Sequence, residues 1–87
     1  MSGGWTPYTT EISAESKSVF EKAIKVLLGV TYTPLAVATQ VVAGTNFSFF
    51  CNAKAVSPNS ANEAAMVLVF RPLQGDPHLV SITRIAR

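Results

Sequence analysis

The stretch Thr45-Asn46-Phe47-Ser48-Phe49-Phe50-Cys51-Asn52-Ala53-Lys54-Ala55 decides the fold. Phe47, Phe49, Cys51 and Ala53 alternate with Asn46, Ser48, Asn52 and Lys54, and Phe50 is the one exception. A two-residue period puts the first set on one face and the second on the other, which predicts a strand with one buried side. Cys51, in the middle of the apolar set, reads as a small buried hydrophobe rather than a reactive thiol.

Working outward, further strands follow from composition. Thr31 to Val42 is rich in β-branched residues, and Pro34 within it marks an edge or a bend. Downstream lie a short apolar strand, Ala64 to Arg71, and a last strand, His78 to Ile85. Ser57 to Glu63, with Pro58, Asn59 and Asn62, is a polar turn region, and Leu73 to Pro77 is a turn built on Gly75-Asp76-Pro77.

Ser13 to Leu28 is the one long helix. Phe20, Ala23, Ile24, Leu27 and Leu28 recur at three- and four-residue spacing and make an apolar face. Thr10 and Ser13 are candidate N-caps, and Gly29 supplies the stop. Glu21 and Lys25 form a favourable pair one turn apart. A helix of this length spans ~24 Å and a seven-residue strand ~23 Å, so the helix can lie across one sheet face. Helix first and strands afterwards predict an α+β domain with an antiparallel sheet of four or five strands. The second sheet face is left partly wet. Met1 to Thr10, with Trp5 and Tyr8 as its large side chains, is expected to be an extended, mobile trunk.

Composition bounds the function. At 87 residues and 9.3 kDa the chain is a single small domain, residues 1–87. A 48% hydrophobic and 14% charged composition is unlike that of a disordered tail or a coiled coil. The net charge of +2 comes from basic residues scattered between Lys17 and Arg87, without the cluster that a nucleic-acid footprint needs. One cysteine and one histidine leave neither an intrachain disulfide nor a multi-ligand His/Cys metal site. The longest apolar run, Ala64 to Phe70, is far short of the roughly 20 residues of a membrane helix. The start shows no leader-like pattern, so the expected compartment is the cytoplasm. No paired carboxylates, phosphate-cradling glycine loop or base-activated nucleophile is evident, so no catalytic residue and no cofactor are expected.

What remains is Gln40-Val41-Val42-Ala43-Gly44. It reads as a strand end running into a hairpin, with Gly44 free to take a positive φ. Two adjacent valines near a hairpin tip cannot both face the core, so at least one is expected in solvent. The competing reading is an ordinary hairpin with a tolerated apolar tip.

This pentapeptide resembles the first hairpin loop of the cystatins, and especially of the disulfide-free stefins. The family's loop pattern is Gln-x-Val-x-Gly, matched by Gln40, Val42 and Gly44. Met1-Ser2-Gly3-Gly4 resembles the stefin N-terminal trunk. Val69-Phe70-Arg71-Pro72-Leu73 through Leu79-Val80 resembles the third strand, second hairpin and fourth strand. The resemblance implies a cystatin-like fold and a reversible, non-covalent inhibitor of papain-like cysteine proteases. Carried over, Gly3 with Gly4 is the trunk hinge, Gln40, Val41, Val42, Ala43 and Gly44 form the central loop, and Leu73, Pro77 and His78 mark the second loop. Together they would occlude the protease cleft without offering a peptide bond for attack. The expected partner is thus a papain-like protease, with no nucleic acid and no membrane. The expected state is a monomer, although extension through Val41-Val42 would permit a domain-swapped dimer. This sequence departs from the family in its short trunk and shorter second loop. Those departures motivate the alternative, a binding or structural module that keeps the fold without inhibiting. A small-ligand or enzymatic use of the sheet face is a further rival, and the lack of clustered acid–base residues counts against its enzymatic form.

Overall fold

The computed structural model describes residues 3–85. One helix, α1 (Ala14–Ile24), precedes four strands, β1 (Val30–Val42), β2 (Gly44–Ala55), β3 (Glu63–Arg71) and β4 (His78–Arg84). The strands form one antiparallel sheet in the order β1-β2-β3-β4, and α1 packs on one of its faces.

The alternation in β2 places the core. Phe47, Phe49 and Cys51 are buried beneath the helix, together with Val37 of β1 and Val67 and Val69 of β3, and Ala53 is buried further along β2. From the helix, Val19, Phe20 and Ala23 complete this cluster at three- and four-residue spacing. The Phe20 ring meets Phe49 edge to face at 4.9 Å, and Phe47 stacks beside Phe49 at 6.0 Å. Phe50 points to the helix-free face, where it lines a hollow with Tyr8, Ala36 and Met66.

Of the two candidate caps, Ser13 begins the helix. Its Oγ accepts the Ser16 backbone N–H at 3.1 Å. The expected run to Leu28 is corrected, because α1 ends at Ile24 and Lys25 closes it with an N–H to the Glu21 carbonyl. Leu28 is 92% exposed and Val26 is exposed too, so neither apolar side chain gains the packing that would reward another turn. Eleven residues span ~16 Å at 1.5 Å each, shorter than the strands. Gly29, at φ +91, turns the chain into β1, and its carbonyl accepts the Val56 N–H. Glu21 and Lys25 do not pair. The ion pairs among the described residues join Arg71 to Glu15 at 2.8 Å and Arg84 to Glu63 at 2.6 Å.

The N-terminal segment runs along the free edge of β1 instead of projecting from the domain. Gly3 N–H donates to the Val41 carbonyl at 3.0 Å, Thr6 N–H to Thr39 at 2.9 Å, and Thr9 and Val37 exchange both bonds. Pro7, which has no N–H, interrupts this lane, and the Thr6 hydroxyl takes the Thr39 N–H at 2.9 Å. The sheet proper therefore has four strands, with an irregular fifth lane at its edge. Met1 and Ser2, the outer part of the expected trunk, lie outside the described residues, as do Ala86 and Arg87. Pro34 does mark a bend, since the register with β2 shifts between Pro34 and Ala36.

Candidate functional site

The sheet register gathers the expected site residues at one end. Val42 pairs with Gly44 across the first hairpin, whose apex is Ala43. Thr45 pairs with Arg71, the last residue of β3, and Phe70 pairs with His78, the first of β4. The second hairpin, residues 72–77, therefore emerges at the same end as the first. Gly3 joins them through its bond to Val41. Three segments far apart in sequence thus lie side by side along one edge of the domain.

Their side chains divide into those that face solvent and those that build the platform. Val41 is 64% exposed and Leu73 is 81% exposed, while Ala43 is also open to solvent. Val42 is half-buried, so one of the two valines faces outward. Gln40 is half-buried as well, and its Oε1 accepts the Asn46 Nδ2–H at 3.0 Å. That cross-strand bond braces the hairpin neck. Pro77 is half-buried. His78 is exposed and sets its ring edge to face against Phe70 at 5.7 Å. Gly3 and Gly4 are exposed, with open space where a side chain would stand.

Gly44 is buried at φ +118. A Cβ there would stand 2.6 Å from the Arg71 carbonyl oxygen and 2.7 Å from Phe70 Cζ. Its absence of a side chain lets the first hairpin pack against the end of β3. Gly44 therefore holds the platform together.

Arg71 is the residue that sequence reading missed. Its guanidinium donates to Glu15 Oε2 and lies over the Phe47 ring at 5.2 Å. It ties the helix start to the base of both hairpins. Its two partners lie in separate elements upstream, so no local pattern announces the role.

Chemistry at this end is apolar and hydrogen-bonding. His78 has an aromatic neighbour rather than an acid–base partner. Cys51 lies in the core, and burial pushes its thiol up to about 12 from 9.0, the reverse of an activated nucleophile. Among the described residues no group of three His, Cys, Asp or Glu side chains is placed to hold a metal. No helix among them is long and apolar enough to cross a membrane. No protein-family model, curated protein or solved structure matches the chain.

Proposed function

We propose that the chain is a reversible, non-covalent inhibitor that seats its hairpin end in the cleft of a papain-like cysteine protease. The observation that carries this reading is the exposure of Val41 and Leu73 on two different hairpins that emerge together, with Gly3 beside the first. The likeness of Gln40 to Gly44 to the cystatin loop supplies the target class. Burying each of these apolar side chains is worth about 1.5–3 kcal/mol. Sheet pairing runs to the tip of the first hairpin, so little conformational entropy is lost there on docking. Tip residues would touch the protease, while Gln40, Gly44 and Arg71 hold the tips in place. The bond from Gly3 to Val41 holds the start of the described chain beside the central loop.

The test is titration of a papain-like protease with the intact chain, read with a fluorogenic peptide and by mass spectrometry. Inhibition without cleavage of the chain is expected. Val41→Arg and Leu73→Asp alter exposed tips, and each is expected to weaken inhibition at least about tenfold, the equivalent of losing one buried side-chain contact. A folded chain that leaves the protease active at micromolar concentration overturns the proposal and favours a non-inhibitory binding module. Gly44→Arg is a poor probe, because steric conflict with Arg71 and Phe70 would disrupt the hairpin itself.

A further inference from the structure

The sheet face away from the helix holds a second feature, separate from the hairpin end. Two cross-strand rows form its floor, Ala38-Ser48-Leu68-Ser81 and Ala36-Phe50-Met66-Thr83. The N-terminal lane adds Trp5 and Tyr8 at one side. A hollow of about 390 Å³ lies between Trp5, Tyr8, Met66 and Leu68. A second, of about 250 Å³, lies between Tyr8, Ala36, Phe50 and Met66. The two share Tyr8 and Met66 and so make one groove.

We infer that this groove is a binding site for a small, uncharged, flat aromatic molecule. Size comes first. The larger hollow falls in the range of small-molecule sites, roughly 300–1,000 Å³, and the smaller adjoins it at Tyr8 and Met66. Charge is decided by the lining, for no Asp, Glu, Lys, Arg or His borders either hollow. An ionic ligand would lose hydration there without gaining a partner. Shape follows from the walls. Trp5 and Tyr8 offer aromatic surfaces, and the Met66 thioether conforms to ring faces and edges. The hydroxyls of Ser81 and Thr83 border the groove and can orient a ligand's polar atom without adding charge.

The wall is built rather than incidental. Trp5 sits between the backbone bonds that Gly3 and Thr6 make to β1, and the Tyr8 hydroxyl is hydrogen-bonded to Ser48 Oγ at 2.7 Å. Yet Trp5 is 46% exposed and Tyr8 49%. A purely core-filling role would bury them. Here two large aromatic rings are held in place with about half their surface unused.

The chain has a single tryptophan, so Trp5 reports directly on the groove. The probe is N-phenyl-1-naphthylamine, a neutral aromatic whose emission rises in apolar sites. Titrated into the full chain, it is expected to saturate at one molecule per chain while Trp5 emission falls by energy transfer. Ser81→Phe fills the groove from an exposed position on β4 and is expected to weaken binding at least about tenfold, comparable to losing one aromatic contact. Trp5→Ala, followed by dye emission alone, is expected to do the same. Val41→Arg, at the hairpin end, is expected to leave dye binding unchanged, which keeps this site distinct from the protease reading. Binding that does not saturate, or that survives both Ser81→Phe and Trp5→Ala unaltered, overturns the inference. Sedimentation of the free chain as a dimer that the dye dissociates would identify a second copy as the occupant and would likewise overturn it.

Discussion

At the residue scale, two glycines with similar backbone angles separate by what surrounds them. Gly44 sits at φ +118 and Gly29 at φ +91, both in the region that side chains avoid. A Cβ at Gly29 meets open space, whereas one at Gly44 meets the Arg71 carbonyl and the Phe70 ring. Gly29→Ala should therefore cost only the left-handed backbone penalty, about 1–2 kcal/mol. Gly44→Ala adds a packing conflict to that strain and should cost about 2–4 kcal/mol. Urea denaturation of the two variants measures the difference, and equal losses would contradict the steric account. Cys51 supplies a second contrast. With its thiol pushed up to about 12 by burial, it should resist thiol reagents at pH 8 until the chain unfolds. The native state keeps the proton above pH 9 while the unfolded state releases it. The contribution to stability is thus full below about pH 9 and lost as pH rises towards 12. Cys51→Ala removes this term, so the difference in stability between parent and variant should shrink across that window. A difference that stays constant with pH would contradict burial of the thiol.

At the element scale, what could be read in the sequence depended on how local the cause was. The face of β2 was legible because its two-residue period is written in consecutive side chains. The positive φ of Gly44 was legible for the same reason, since only the nearest residues set it. The end of α1 was not. Leu27 and Leu28 continue the helical spacing, but the helix stops at Ile24 and Leu28 stays in solvent without packing against the core, a tertiary cause. The N-terminal lane was hidden as well, because backbone bonds to β1 leave no trace in side-chain pattern. That lane covers an edge that would otherwise present unpaired backbone groups. Deleting residues 1–9 strips the partners of Val37, Thr39 and Val41, and the chain should then associate with rising concentration. Deleting residues 1–4 removes, among the described residues, only the Gly3 bond, and should leave the chain monomeric. Sedimentation velocity compares the two truncations. A monomer at all concentrations in the longer deletion would show that the lane does not guard the edge.

At the scale of the whole molecule, the domain is drawn out along its strands. Its extents are 46 × 26 × 21 Å, and its radius of gyration of 13.2 Å exceeds the ~12 Å of a typical compact chain of this length. The core lies under an eleven-residue helix at the middle, so the two ends of the sheet project beyond it. One end carries the candidate hairpins, and the other carries exposed Val26, Leu28 and Val56. Stability should therefore fall from the centre outward. Amides of Phe49 in β2 and of Val67 and Val69 in β3 belong to the two inner strands and lie at buried positions. They should exchange hydrogen only through global unfolding, with an opening energy equal to that from urea denaturation. Amides of the 72–77 loop should exchange by local opening. The first hairpin distinguishes two pictures of the proposed docking end. If it is pre-organised, amides in the stretch where Gln40 pairs with Asn46 and Val41 with Thr45 should show protection between these limits and well above the loop's. Protection no better than that of the loop would mean that the hairpin orders only on docking. Binding would then carry an entropic cost of about 1–2 kcal/mol for each residue ordered, and the advantage assigned to the sheet would be lost.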